Sequence, residues 1–167
     1  MSNSKVLIGI EPMTRALIEE LRPLWQRCWD ECSEIKGTTC AFHGERGFLI
    51  EPDIEQYLLL GSQNSLPVVT LRVDGILHGY AIGILYRALH HRPVIVGNVD
   101  SCYLDPQYRS YIRSVIKALE NEFESHEVVI IGWPTSPDGH LYSVLKALGY
   151  IPDDIVMEKR LCALPPQ

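Results

Sequence analysis

The sequence predicts a single α/β domain, of the α+β type with a mixed sheet, in the order β-α-α-β-β-β-α-β-α-β. Two observations predict this class. An Asp74-Gly75 turn joins two strand-like segments in the middle of the chain, and helical and strand-like segments alternate after it. The 167 residues, 46% of them hydrophobic and 22% charged, suffice for one substantial core. We find no linker or repeat, so residues 1–167 are expected to form one domain.

The N-terminal part is expected to contain one strand and two helices. Residues 6–10 form a short β-branched run, and apolar residues keep helical spacing over residues 13–34. Pro23 is expected to split this helix in two or to kink it. Residues 36–47 are rich in glycine and threonine and are predicted to form a loop, and Asp53 is expected to cap a second, short helix.

Three antiparallel strands are predicted next. Residues 68–73 and 76–89 are strand-like and flank Asp74-Gly75, the strongest hairpin signal in the chain. The segment His90-His91-Arg92-Pro93 then connects to a strand over residues 94–104.

The C-terminal part alternates helices and strands. An apolar stripe predicts a helix over residues 109–125, and the apolar run 128–133 predicts a buried strand. A short helix is expected to end at Gly149 in a left-handed conformation. Residues 155–161 are predicted to form the last strand, before a short Pro-rich tail over residues 163–167.

Charge and composition narrow the function classes. A formal net charge of −6 argues against extended nucleic-acid binding, which needs a basic surface. A local basic patch is nevertheless expected, because Arg109, Arg113 and Lys117 recur at helical spacing. No apolar run reaches membrane-spanning length and no secretory signal is recognisable, so we expect a cytoplasmic protein without a membrane partner.

The five cysteines are an odd number and are expected to be reduced thiols. Cys28, Cys32, Cys40 and His43 offer ligand types that zinc accepts. The usual zinc knuckle has two residues between its cysteines, whereas Cys28 and Cys32 lie one helical turn apart. Buried thiols explain this spacing better, and we predict no metal site.

Residues 103–109 (YLDPQYR), 145–150 (LKALGY) and 157–161 (MEKRL) together resemble the GNAT superfamily of acyl-CoA-dependent N-acyltransferases. Residues 103–109 are similar to the family's fourth strand and its turn into the CoA-binding helix. Residues 145–150 resemble its penultimate helix, which ends in a Gly-aromatic pair, and residues 157–161 resemble its closing strand. The element order matches over nearly the whole chain, and the resemblance is specific over about residues 75–161.

The pair His90-His91, together with the strand that carries Asp100, is also similar to GNAT-like proteins encoded by bacteriophages. This resemblance implies a location in the host cytoplasm or in a virion.

The resemblance implies a splayed central sheet and acetyl-CoA as cosubstrate. Main-chain groups of residues 102–104 would pair with the pantetheine arm, and the following turn would hold the pyrophosphate. The family's turn reads Arg/Gln-x-x-Gly-x-Gly/Ala; here Arg109 matches, Ile112 replaces the central glycine and Ser114 is a small last residue, so the motif is degenerate. The implied donor-binding residues are Cys102, Tyr103, Leu104, Arg109, Ser110, Tyr111, Ile112, Arg113 and Ser114.

A general base and a general acid are needed for transfer to an amine. By period-two alternation, Asn98, Asp100 and Cys102 share one face of their strand. The family's strand glutamate matches Asn98, which cannot act as a base, so Asp100 is the candidate base, directly or through water. The alternative is that Asp100 only hydrogen-bonds a neighbouring segment.

The family's acid, a tyrosine, matches Leu145, which belongs to the apolar stripe. Tyr142, three residues earlier, is therefore the candidate acid, and His140 is a second candidate.

Two functions follow. The first is acetyl transfer from acetyl-CoA to a small-molecule or protein amine, with Glu31, Glu34 and Glu45 favouring a cationic acceptor. The second is a catalytically inactive GNAT-like fold that serves as a binding or structural subunit, perhaps of a virus, because Ile112 and Leu145 are core types at ligand positions. Edge strands would allow a homo-oligomer.

Overall fold

A computed structural model of the chain describes residues 4–36, 50–135, 137 and 139–153. The strands are β1 (Val6–Ile10), β2 (Val68–Val73), β3 (Ile76–Arg87), β4 (Ile95–Leu104) and β5 (Val128–Gly132). The helices are α1 (Arg15–Lys36), α2 (Ile54–Ser62), α3 (Ile112–Ser125) and α4 (His140–Ala147), with a 3-10 helix over Pro106–Tyr111. The predicted order is confirmed as far as α4, and the predicted last strand and tail lie outside the described residues.

The five strands form one mixed sheet in the order β1-β2-β3-β4-β5, which confirms the predicted fold class. Strands β1, β2, β3 and β4 pair antiparallel with one another, and β5 pairs parallel with β4. The β2–β3 turn has positive φ at Asp74 (50°) and Gly75 (87°), as a tight hairpin turn requires.

Pro23 lies inside α1, which is a single helix, so of the two predicted effects of this proline the split of the segment does not occur. The helix persists because Leu21, Leu24 and Trp25 are buried around the proline, while Pro23 itself is exposed. Tertiary packing of an apolar stripe outweighs the one main-chain hydrogen bond that proline removes.

Apolar residues fill both faces of the sheet. One face, here called the α1–α2 face, packs on α1 and α2 through residues such as Trp25, Tyr80 and Tyr103. The other, the α3 face, packs on α3 through residues such as Val99 and Phe123. The described helices include none that is both long and apolar enough to cross a membrane.

Local signals at helix ends are confirmed. The Asp53 side chain accepts a hydrogen bond from the main-chain N–H of Gln56 at 3.0 Å and so caps α2. Gly149 has φ of 95°, and the N–H of Tyr150 reaches the carbonyl of Leu145 at 3.1 Å, which closes α4 in a Schellman motif.

Candidate functional site

Strands β4 and β5 form a fork. Their parallel pairing runs from Ile95 opposite Val128 to Asn98 opposite Gly132, where β5 ends. Residues 99–104 of β4 continue with β3 as their only strand partner in the described chain. One side of the second half of β4, here called the open half, therefore lacks a strand partner among the described residues. Two carbonyls of this half have side-chain partners, since the carbonyl of Cys102 lies 3.9 Å from Sγ of Cys28 and that of Leu104 accepts from Nε of Arg109 at 3.3 Å. The predicted pantetheine-binding residues Cys102, Tyr103 and Leu104 lie in this open half.

Asn98 and Gly132 form the point where the fork opens. A Cβ atom added at Gly132 would lie 2.5 Å from Oδ1 of Asn98, well inside the contact distance of real atoms. A side chain at position 132 would therefore require the exposed Asn98 side chain, which lies across the β5 main chain, to turn away.

A β-bulge lies just beyond the fork. Strand β3 places Ile82 opposite Ser101 and the next residue, Gly83, opposite Val99. Asp100 is thus the extra residue of β4, with no direct partner on β3. Such an insertion bends the strand and redirects the side chains that follow it.

The bulge makes one sequence prediction wrong. Val99 and Cys102 both pack on the α3 face although three positions separate them, because the extra residue reverses the alternation. Asn98 lies opposite Ile84, which belongs to the α1–α2 face. Asn98 and Asp100 therefore share the α1–α2 side, and Cys102 does not.

Asp100 is exposed and is held by the hydroxyl of Tyr57 on α2, which donates to Oδ2 at 3.0 Å. Ser101 Oγ lies 3.5 Å from the same oxygen, and among the described residues no hydrogen bond uses Oδ1. Burial raises the pKa of Tyr57, and the charge of Asp100 raises it further, so this hydroxyl remains a donor. Its ring stacks on Trp25 with centroids 5.1 Å apart. The carboxylate is thus oriented, with one oxygen left for other partners.

The thiols of Cys102 and Cys28, near the open half, have raised pKa values. Burial raises the pKa of Cys102 to about 12, so its thiolate form is rare at neutral pH. The pKa of Cys28 is also raised, first by a hydrogen bond with Cys32 and then by burial. Cys40 and His43 lie outside the described residues, within which no metal-ligating cluster occurs.

The turn after β4 is anchored by Asp105. Its carboxylate lies 2.8 Å from Nδ1 of His78 on β3 and 3.1 Å from the guanidinium of Arg27 on α1. Its carbonyl accepts a hydrogen bond from the N–H of Tyr108 at 2.8 Å. Sequence reasoning missed this cluster, because the Asp105-Pro106 turn signal says nothing about partners on β3 and α1.

Arg109, the predicted phosphate ligand, lies in the 3-10 helix rather than in α3. Its Nη2 donates to the carboxylate of Glu31 on α1, and its Nε donates to the carbonyl of Leu104 at 3.3 Å. Tyr103 donates its hydroxyl to the other oxygen of Glu31 at 2.9 Å. Burial raises the pKa of Tyr103, and this hydrogen bond raises it further.

The helix predicted to begin at Arg109 instead begins at Ile112, because Pro106 starts a 3-10 helix. The N–H of Ile112 is donated to the carbonyl of Arg109. The half-buried Ile112 side chain packs against the buried cluster of Ile116, Val144 and Leu145, so it contributes to the core. The main-chain donors predicted for pyrophosphate are thus partly used within the turn.

The remaining predicted phosphate-binding residues do not lie together: Arg113 and Ser114 are in one cleft, and Ser110 and Tyr111 are outside it. Arg113 and Ser114 line an open cleft of about 420 Å³ between α3 and β1, together with Lys117. Ser110 is exposed, and Tyr111 packs on the α3 face. The basic patch expected from the spacing exists, but Arg109 is not among the residues that line the cleft.

Tyr142 is half-buried on α4, with Nζ of Lys146 5.6 Å from its ring centre. No hydrogen bond joins it to Asp100 in the part of the chain that the structure describes. Leu145 is buried against Ile116 and Val144, which agrees with its place in the apolar stripe. His140 is exposed at the start of α4.

No family model matches the sequence, and no curated protein matches it at a significant level. Solved structures do match. An aminoglycoside acetyltransferase from an uncultured soil metagenomic sample aligns with a TM-score of 0.71 at 12% identity, over 95% of this chain and 96% of its own. The aminoglycoside N-acetyltransferase AAC(6')-Iy in complex with CoA aligns with a TM-score of 0.65 at 17% identity, over 96% and 98%. The ribosomal-protein-alanine N-acetyltransferase of Brucella melitensis biovar Abortus 2308 aligns with a TM-score of 0.64 at 16% identity, over 94% and 100%. This chain therefore has the GNAT-like fold of these acetyltransferases.

Proposed function

We propose that the protein is an N-acyltransferase that moves the acetyl group of acetyl-CoA to an amine. The observation that carries this proposal is the fork. Strand β4 leaves β5 after Asn98, and residues 99–104 keep an open main-chain side in a fold shared with acetyltransferases. An open strand side pairs with an amide-containing chain such as pantetheine.

The residues around the fork form the proposed donor site. Main-chain groups of Cys102, Tyr103 and Leu104 would pair with the pantetheine arm, and the turn after β4 would hold the phosphates through Arg109 and the remaining main-chain N–H groups. Bound acetyl-CoA supplies an acetyl group activated as a thioester.

Asp100 is the proposed base and Tyr142 the proposed acid. The carboxylate of Asp100 takes a proton from the ammonium group of the acceptor, directly or through water. The amine nitrogen then forms a bond to the acetyl carbon, the carbon–sulfur bond breaks, and Tyr142 gives its proton to the leaving thiolate. The second proton of the amine nitrogen returns through water to the Tyr142 phenolate, so the net proton released stays on Asp100. The Tyr57 hydroxyl orients Asp100 by holding Oδ2 at 3.0 Å.

The proposed acceptor is a small-molecule or protein amine, as it is for the aminoglycoside and ribosomal-protein acetyltransferases of the same fold. A net charge of −6 favours a cationic acceptor. The bacteriophage origin stays a prediction, as do a cytoplasmic location and a homo-oligomer.

Titration calorimetry with acetyl-CoA tests the donor site. We expect saturable binding in the micromolar range and release of free thiol on incubation with a panel of amines. An absence of heat and of saturation at millimolar acetyl-CoA would remove the proposal.

A non-enzymatic subunit is the second candidate, and two observations favour it. Ile112 packs in the core at the position of a ligand-facing glycine, and Arg109 is already paired with Glu31. If Ile112→Gly does not restore detectable CoA binding to a protein that lacks it, the turn is not built for phosphate. Loss of measurable CoA binding in Arg109→Ala would contradict this second candidate.

A further inference from the structure

The guanidinium of Arg109 is already paired with a carboxylate of this chain, that of Glu31. Nη2 contacts the carboxylate of Glu31, while Nε is held by the carbonyl of Leu104. Leu104 is the last residue of the open half of β4. The Glu31 carboxylate therefore lies at the end of the proposed donor groove, in the position that a phosphate oxygen would take on this arginine.

Glu31 is held in place by the strand as well as by the arginine. Its second oxygen accepts the hydroxyl of Tyr103, whose residue is 6% exposed. The carboxylate comes from α1, so a side chain 78 positions away in sequence fills the anion position of the turn. This partly buried hydrogen bond holds the carboxylate independently of the arginine.

The pair with Arg109 is open to exchange, unlike a second arginine cluster of the molecule. The side chain of Arg72 is 18% exposed, and both Glu11 and Glu20 contact its guanidinium. The side chains of Arg109 and Glu31 are 48% and 37% exposed, and a single carboxylate contacts this guanidinium among the described residues. An ion pair this exposed is worth a factor of about two to five in an equilibrium, so a dianionic phosphate can displace it.

We propose that Glu31 is an internal competitor for the phosphate groups of the acyl donor. This inference rests on the proposed function, because it assumes that CoA phosphates approach Arg109. In the free protein the Glu31 carboxylate pairs with the guanidinium of Arg109. When the donor binds, a phosphate oxygen takes the place of this carboxylate oxygen. The affinity for CoA is therefore reduced by the strength of the Glu31–Arg109 pair, and Glu31 sets how tightly the donor is held.

The test compares Glu31→Gln with Asp30→Asn by calorimetry. Asp30 is the adjacent α1 residue, is exposed, and accepts from Gln26 rather than from Arg109, so its change removes the same charge without touching the pair. We expect Glu31→Gln to lower the Kd for CoA about fivefold. Asp30→Asn should leave the Kd within about twofold, because an exposed charge at a distance is screened by salt.

Two further arms isolate the phosphate. Pantetheine has the same arm without phosphates, so Glu31→Gln should leave its affinity unchanged. In an Arg109→Ala background the gain from Glu31→Gln should vanish, because no guanidinium remains to be contested. Glu31→Ala, which removes the same carboxylate, serves if Glu31→Gln fails to fold, as judged by thermal unfolding. We expect this variant also to lower the Kd for CoA and to leave the Kd for pantetheine unchanged.

The outcomes separate this inference from the proposed function. Saturable CoA binding by the natural protein, with equal affinity in Glu31→Gln and Asp30→Asn, overturns the inference and leaves the function standing. An equal gain for CoA and pantetheine also overturns it, because the phosphate would then play no part. Failure of both the natural protein and Glu31→Gln to bind CoA overturns the function and the inference with it.

Discussion

The two halves of β4 have different surroundings. Residues 95–98 are paired on both sides, with β3 and with β5, and residues 99–104 are paired with β3 alone. The change occurs within two residues, between the Asn98–Gly132 contact and the bulge at Asp100. One strand therefore combines a fixed half, which is paired on both sides, with an open half, which lacks a second strand partner among the described residues and carries one oriented carboxylate.

The largest effect is expected in the open half. Asp100→Asn should lower kcat by about 10²–10⁴, because an amide cannot take the proton of the acceptor. Thermal unfolding should change little, since Asp100 is exposed. Steady-state kinetics with the best amine of the panel measures this effect. Asp74→Asn is the control, because it makes the same change in the exposed β2–β3 turn. Unchanged kcat in Asp100→Asn would exclude this carboxylate as the base.

The next largest effect is expected beneath the fixed half. Phe123→Ala should lower the free energy of unfolding by about 3–5 kcal/mol. Phe123 is fully buried, and its ring fills the space left by Gly83 and Gly97 on neighbouring strands. Urea unfolding measures the loss. Tyr86→Ala, on β3 with a 50% exposed side chain, should cost less than about 1 kcal/mol. Similar losses in the two variants would show that this face of the sheet is not the fixed core.

A smaller effect is expected at the boundary between the halves. Gly132→Ala should cost about 1 kcal/mol of stability, because the exposed Asn98 side chain must change rotamer to move Oδ1 away from a Cβ that would lie 2.5 Å from it. It should also weaken acetyl-CoA binding, since Asn98 must move at the mouth of the groove. Gly9→Ala on β1 is the matched control, because no atom lies within 4 Å of its added Cβ. Equal stability and equal donor affinity in both variants would mean that the fork does not depend on Gly132.

The smallest effect is expected far from both halves, at Glu11 and Arg72. A hydrogen bond from Arg72 lowers the pKa of Glu11 from its usual 4.5, although burial opposes this shift. The resulting stability is present above pH 4.5 and is lost as the pH falls through the folded-state pKa. Glu11→Gln should therefore cost less than about 1 kcal/mol at pH 7, and less again near pH 3. Melting temperatures across this range measure the difference, and a gap that widens in acid would reverse the assignment.

Much of the fold follows from local patterns. Alternating and helical spacings predict the strands and helices to within a few residues, and Asp53, Asp74-Gly75 and Gly149 mark a cap, a turn and a helix end. These signals depend only on residues a few positions apart, so they can be recognised in the sequence without knowledge of the tertiary structure. Pro23 does not end the helix, because the free energy lost with its missing hydrogen bond is smaller than the free energy gained by packing the apolar residues around it.

The candidate site was predicted in part. The strand, the turn and Asp100 were identified from the sequence, and the resemblance indicated the open half of β4. The partners of Asp105 and Arg109 were missed, because His78, Arg27 and Glu31 come from other elements. The predicted face of Cys102 was wrong, because the alternation rule assumes a strand without a bulge.

The sequence by itself determined which segments form strands and helices, where the tight turns lie, and that a carboxylate stands near the middle of β4. Only the tertiary structure decided where β4 separates from β5, which face of the sheet the side chains after the bulge lie on, and that Glu31 pairs with Arg109. The reason is physical. Backbone conformation responds to neighbours a few positions away, whereas strand register and ion pairs depend on groups that only packing of the whole chain brings together.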